Sequence, residues 1–232
     1  FDLLGEERSL LVALRELRDP VQAGWLVAGT GSNGDAKRMP ALQTWIDSQY
    51  HTPYVHAFCL EAGLDRFLPY RGFGETQNDS ERYYHPKELN REIKLLGADY
   101  HIRNVPEYGT LRADVNSDAW KSFLHARIKA PLDHSPLTLF APAPGRGDKE
   151  HHALAMHWTA ETTYVEFVAA HGSVPGRLVT KHSRLRKANH WFDCGYAACA
   201  AGHYCGARVA HDETVVVART RRRIEPVRRR DG

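Results

Sequence analysis

The chain has 232 residues, 42% hydrophobic and 25% charged, with four cysteines and a formal net charge of +3. That length predicts one domain around one core, and no apolar run is long enough to span a membrane. Four cysteines do not make a disulfide framework, which points to a reducing compartment. The start, Phe1-Asp2-Leu3-Leu4-Gly5-Glu6-Glu7, has neither a signal-peptide nor a basic presequence pattern, and the missing initiator Met fits a chain that begins inside a larger protein.

The charge is unevenly placed. Residues 219–230 hold seven Arg against one Glu, and without them and Asp231 the chain carries 24 basic and 26 acidic residues. The body, residues 1–210, is therefore no general nucleic-acid binder. The tail, 211–232, is expected to be disordered until it meets phosphate or another acidic surface, or to be solvated with no specific role.

In chain order, residues 7–19 predict an amphipathic helix with Leu10, Leu11, Leu14 and Leu17 as its stripe and Pro20 as its end. Residues 29–40, rich in Gly, Ser, Asn and Asp, predict a loop. Leu42 to Asp47 predicts a short strand with Asp47 at its carboxyl end, and Pro53 opens a helix to about Gly63 with Val55, Phe58, Cys59 and Ala62 inward. A strand through Phe67–Tyr70 then leads into Gly72-Phe73-Gly74. This helix–strand–helix–strand rhythm predicts an α/β domain with parallel strands. An Asp ending such a strand lies where open α/β sheets bind ligands, although capping the next turn is an equal alternative for Asp47.

Residues 75–92 predict a surface excursion. Residues 98–103 and 110–115 predict strands joined through Pro106 and Gly109, and Asn116–Lys129 predicts a helix. A loop over 131–151 holds a short strand at 137–140; a helix from near Thr159 and a strand at 178–181 follow. Residues 183–187 are a basic lead-in to a final helix, in which Trp191, Cys194, Ala198 and Ala201 make one apolar stripe. Asn189 is placed as its N-cap. Asp193 in its first turn is either a helix-favouring or salt-bridged carboxylate, or a metal ligand.

Nucleotide fingerprints are missing: Gly29-Thr30-Gly31 and Arg71-Gly72-Phe73-Gly74 match neither a P-loop nor a dinucleotide turn. There is no Gly-x-Ser-x-Gly elbow. Cys194, Cys199, His203 and Cys205 lack zinc-finger spacing, and small buried cysteines on a packed face account for most of them. His151, His152 and His157 lie close together without a His-Glu-x-x-His pattern. His190 beside Asp193 is a packing residue, or a helper in binding metal or phosphate.

Several segments in order resemble one known family: Trp45-Ile46-Asp47-Ser48, Val55-His56-Ala57-Phe58-Cys59, Gly72, Asp118-Ala119-Trp120-Lys121, His157-Trp158-Thr159-Ala160-Glu161 and Asn189-His190-Trp191-Phe192-Asp193-Cys194. Over residues 1–207 the chain resembles the nuclease domain of the lambda-type terminase large subunit of tailed-phage packaging motors. The resemblance implies a ribonuclease-H-like mixed sheet flanked by helices. Clustered carboxylates, Asp47 and Asp193 among them, would be catalytic metal ligands for two Mg²⁺ or Mn²⁺ ions in phosphodiester cleavage. It also implies double-stranded DNA, an ATPase region, a small terminase subunit and a portal as partners, in the host cytoplasm during phage assembly, with no membrane.

The family's first acid lies on a strand ahead of the 7–19 helix, where this chain has only about six residues; Asp2 is too close to the helix to serve. The first strands are therefore expected upstream. Asp114 and Asp118 are conceivable substitutes, with Asp118 expected to cap its helix. Arg184, Arg186, Lys187, His190 and the Arg tail are candidates for phosphate contact. The alternatives are a catalytically incomplete module that binds DNA or a packaging partner, and another ribonuclease-H-like enzyme such as a transposase or resolvase.

Overall fold

The structure is a computed structural model that describes residues 5–27, 37–74, 82–141, 145, 147–170 and 175–209. Asp2, Gly29-Thr30-Gly31, the first part of the 75–92 excursion and the Arg-rich tail lie outside the described residues.

Helix α1 (Glu6–Ala23) buries Leu14 and Val21, with Leu10 and Leu11 beside them, whereas Leu17 is exposed. Pro20 does not end it. The helix runs one turn further because Val21 is drawn into the core, and Gly24 N–H closes that turn on the Pro20 carbonyl at 3.0 Å. Strand β1 (Trp25–Leu26), ahead of the expected 29–40 loop, pairs antiparallel with β2 (Arg38–Met39), which lies within it. Strand β3 (Thr44–Asp47), helix α2 (Thr52–Ala62) and strand β4 (Phe67–Phe73) follow as expected, and β3 and β4 are parallel neighbours with Asp47 opposite Tyr70.

Strands β5 (Ile93–Leu96), β6 (Tyr100–Val105) and β7 (Thr110–Asn116) form an antiparallel meander whose last strand lies parallel to β4. The result is a mixed five-stranded sheet of order β3-β4-β7-β6-β5, with β3 at one edge. Helix α3 (Ser117–Lys129) is capped by Asn116, whose side chain accepts from Ala119 N–H at 3.2 Å; Asp118, expected as the cap, is instead buried in the first turn.

Residues 137–140, expected as a strand, have no regular structure. Helix α4 (His152–Trp158) ends where a helix was expected to begin. Glu161–Val168 is instead strand β8, paired along its length with β9 (Arg177–Arg184). The β-branched and aromatic run Thr162-Thr163-Tyr164-Val165 favours this pleated state over helix. In helix α5 (His190–Tyr204) the buried residues are Phe192, Tyr196, Ala197, Ala200 and Ala201, while Trp191, Cys194 and Ala198 are exposed. The predicted stripe is thus turned by about one residue, because the larger Phe192 and Tyr196, four positions apart, claim the sheet-facing side.

The sheet is covered on both faces, and strand alternation decides which side chains go where. Leu68 and Tyr70 of β4 join Ala113 and Val115 of β7, Trp120 and Leu124 of α3, and Phe192 and Tyr196 of α5. Phe67 points the other way, onto Val55, Phe58 and Cys59 of α2 and Leu14 of α1. Two glycines allow the close approaches on the α5 side. A β-carbon on Gly195 would lie 2.8 Å from Leu124 Cδ2, and one on Gly72 of β4 would collide with the Tyr196 hydroxyl while lying 3.6 Å from Tyr196 Cζ.

Gly72→Ala is therefore expected to destabilise the fold by about 1–3 kcal/mol through overpacking. Adding Tyr196→Phe, which removes the colliding oxygen, should recover part of that loss. Urea denaturation of both single variants and the double variant measures the coupling, and strict additivity would exclude the contact.

Candidate active site

Two independent strings of chain meet where α5 crosses the carboxyl end of β3. Asp47 is the last residue of β3, and it shares its face with Trp45, two residues earlier, which packs in the α5-side core. The side chain is therefore aimed at α5. Its neighbour in that direction is Asp193, whose negative charge acts on it. The same two carboxylates together act on Tyr70, Tyr196 and Cys194, all of which are pushed up first by burial. The structure thus brings Asp47 and Asp193 into one electrostatic cluster although 145 residues separate them in the chain.

Asp47 is open to solvent but crowded by protein. Burial pushes its pKa up, the Gln49 backbone N–H donated to Oδ1 at 2.9 Å opposes this, Asp193 raises it further and Arg71 lowers it; the net direction is up. Gln49 is itself tied to the Gly72 carbonyl at 2.8 Å, which fixes the turn after β3. One carboxylate oxygen is thus engaged by Gln49.

Asp193 is held differently. Lys121 Nζ of α3 lies 3.0 Å from its Oδ1, and Asn189 Nδ2 donates to its Oδ2 at 2.8 Å. Both donors also serve Glu161 at the start of β8: Lys121 Nζ is 2.9 Å from each Glu161 oxygen, and Asn189 Nδ2 donates to Oε1 at 2.7 Å. Burial alone would raise Glu161, but the Lys121 ammonium, the Asn189 amide and His182 outweigh it and hold the carboxylate below its ordinary range. Asn189 stands at the N-cap position, but its side chain does not cap the helix; both donated hydrogen bonds go to the carboxylates. Lys121 further lies over the rings of Phe192 and Tyr196, at 5.7 and 5.5 Å from their centroids.

Lys121 pairs with Glu161 and Asp193 while Arg71 acts on Asp47 from farther away, so three carboxylates meet two cations and the cluster keeps an excess of one negative charge whenever Asp47 is ionised. A pair of carboxylates with this excess suits a hard divalent cation, and Mg²⁺ is commonly held by one or two carboxylates with water and phosphate completing its shell. Among the described residues no three His, Cys, Asp or Glu side chains converge as a metal-binding group. The two acids that could share an ion are Asp47 and Asp193, because Glu161 lies deepest and Asp193 and Asp47 are the ends that reach solvent.

The substitutes lie elsewhere. Asp114 is clamped by Arg112 at 2.6 Å and sits near His101, on the sheet face opposite the buried Ala113 and Val115. Asp118 sits near His182, whose Nε2 lies 3.2 Å from the Asp118 carbonyl. Of the phosphate-contact candidates, Arg184, Lys187 and His190 are exposed at the entry to α5, whereas Arg186 is anchored on the Thr159 carbonyl and hydroxyl at 2.7 and 2.6 Å. An exposed Trp191 ring stacks on His157 beside them, at 4.5 Å between centroids. His203 points its Nδ1 at the Tyr100 hydroxyl, 3.2 Å away, within an aromatic cluster with Trp120.

Residue spacing did not single out Lys121 or Glu161. Both lie inside segments that carry the resemblance, but nothing local marks a lysine and a glutamate 40 residues apart as partners. The nearest available signal was a glutamate opening an otherwise apolar and β-branched strand.

Because the Asp47 pKa is raised, the folded chain holds this proton more tightly than the unfolded chain does. Stability contributed at low pH is lost as pH rises from about 4, the ordinary Asp value, through the folded pKa. Asp47→Asn is expected to remove that loss and to leave the metal-free fold as stable or slightly more stable at neutral pH. Denaturant midpoints of parent and variant at stepped pH should diverge as pH rises; parallel curves would show that Asp47 is not desolvated or repelled.

No protein-family model, no curated protein and no solved structure matches this chain.

Proposed function

We propose that the chain is the nuclease portion of a lambda-type terminase large subunit, a metal-dependent endonuclease that cuts concatemeric double-stranded DNA during phage genome packaging. The observation that carries this reading is the convergence of Asp47 and Asp193 in a cluster with excess negative charge. The mixed sheet flanked by helices is compatible with a ribonuclease-H-like fold. In that fold the open edge of β3, beside Asp47, is where a further acid-bearing strand would pair.

Asp47 and Asp193 would hold Mg²⁺ or Mn²⁺, with two ions expected once a further acid completes the site. Such ions, when bound, activate water and stabilise the departing 3′ oxygen of a phosphodiester. The chain's own residues then have separable tasks. Gln49 keeps Asp47 turned toward α5, and Asn189 and Lys121 hold the two oxygens of Asp193. Arg184, Lys187 and His190 meet the DNA backbone, where positive charge positions a duplex without reading its sequence. The DNA, the ATPase region, the small terminase subunit and the portal are the partners of this reading, which places the protein in the host cytoplasm during assembly. Among the described residues no helix is long and apolar enough to cross a membrane.

The second reading is a catalytically incomplete module that binds DNA or a packaging partner, favoured by the seven arginines within residues 219–230. One experiment separates them. Supercoiled plasmid is incubated with Mn²⁺ and either the chain itself or the chain extended by the residues encoded upstream of Phe1. A nuclease nicks the plasmid, and Asp47→Asn or Asp193→Asn each lowers the rate at least 100-fold, as loss of a metal-holding carboxylate demands. Absence of nicking from both forms would leave the binding module. In that case, deleting residues 219–232 should weaken DNA affinity and flatten its salt dependence, since each phosphate neutralised contributes to the slope.

A further inference from the structure

The geometry points to Glu161 as a positioning residue that never touches the metal or the DNA but fixes Asp193 through Lys121 and Asn189. This rests on the nuclease reading for its consequence, though not for its geometry. Four side chains from three elements and one loop close a ring. Lys121 Nζ bridges Glu161 and Asp193 at 2.9 and 3.0 Å, and Asn189 Nδ2 bridges the same two carboxylates at 2.7 and 2.8 Å. The Asn189 amide gives one proton to each acid, while the Lys121 ammonium hydrogen-bonds both Glu161 oxygens and makes an ion pair with Asp193.

The burial of the members assigns the roles. The Glu161 side chain is 4% exposed and that of Asp193 is 31% exposed. Glu161 is therefore the fixed end of the ring, and Asp193 is the end that reaches solvent. His182 lies beside the fixed end, with its Nδ1 3.9 Å from Glu161 Oε2. A carboxylate on the first turn of a helix could otherwise rotate about two side-chain torsions, and an acid that shares a cation with Asp47 must present one orientation. Groups behind metal ligands that fix their orientation change metal affinity by about 10–100-fold when removed. Lys121 adds a second effect: it neutralises one acid of the ring without neutralising both. The remaining negative charge is left for a cation at the Asp47 side.

The test compares Glu161→Gln with the parent in the full chain, using two readouts. The first is metal-free: nitrogen-edited NMR spectra of the Lys121 ammonium and the Asn189 side-chain amide, whose protons exchange slowly while the ring is closed. The second is Mn²⁺ affinity, from the electron paramagnetic resonance of the free ion. Glu161→Gln is expected to keep the fold by circular dichroism, to lose the slowly exchanging signals, and to weaken Mn²⁺ binding about tenfold. Asp193→Asn should also lose those signals and should abolish Mn²⁺ binding. If Glu161→Gln keeps the signals and binds Mn²⁺ within twofold of the parent, the positioning role is overturned. Should Glu161→Gln not fold, Asn189→Ala decides by the same measurements: a several-fold loss of Mn²⁺ affinity sustains the role and an unchanged affinity overturns it. If neither the parent nor its upstream-extended form takes up Mn²⁺, the nuclease reading falls, while the metal-free spectra still decide the ring.

Discussion

The Lys121 ammonium is the point on which the site depends. It comes from the middle of α3, and its contacts reach the first residue of β8 and the first turn of α5. A lysine with only 13% of its side chain exposed would be expensive to desolvate alone. Two carboxylates within hydrogen-bond distance offset that cost, and two aromatic faces from α5 add to the offset. Removing either carboxylate therefore does more than delete one contact, because it leaves a buried charge half compensated. The same arrangement explains why three elements distant in sequence keep one relative placement. Their charges are mutually satisfied in that placement and in few others.

Around this hub the packing is organised by size. Phe192 and Tyr196 fill the space over β4 and β7, where Gly72 gives way to Tyr196, and Gly195 of α5 gives way to Leu124 of α3. The residue that benefits is Asp193, which lies one position after Phe192 and is carried to the sheet's carboxyl edge by the packing of that ring. Asp47 arrives at the same edge by strand alternation from Trp45. Neither acid makes the contacts that place it; each inherits its position from an apolar neighbour. This division suits a site whose acids repel one another, since core packing supplies the energy that brings them together.

Much of this was legible in the sequence, though unevenly. The strands β3, β4, β6 and β7 and the helices α1, α2, α3 and α5 follow from period and punctuation. Asp47 and Asp193 stand out because one ends a strand and the other opens a helix. What escaped was decided by tertiary contact. Pro20 is tolerated because Val21 beyond it is buried. The α5 stripe is turned because a large aromatic residue outcompetes a tryptophan that stacks on His157 at the surface. Asn189 looks like a cap and stands at the cap position, yet its amide is better used between two carboxylates. β8 was missed because the run after Thr159 also suits a helix start, and only pairing with β9 decides between the two states. Glu161 and Lys121 were invisible as partners for the same reason: their 2.9 Å contact is made by the fold, and no spacing announces it.

The ring also bears on why the cluster does not simply neutralise itself. A second ammonium in the ring would match its two carboxylates, Glu161 and Asp193, and leave the ring neutral. The chain places Lys121 on the Glu161 side of Asp193, and among the described residues Asp47 is met by a backbone N–H from Gln49 and the more distant charge of Arg71. Asp47 is therefore left with a raised pKa, and its excess charge faces solvent. An acid fully neutralised by a buried counter-charge would gain little from a cation. One held against another acid and kept short of compensation gains from any divalent ion that can reach both. The unequal treatment of the three carboxylates, one sealed, one pinned and one left wanting, is thus the feature of this fold that most directly favours ligand binding.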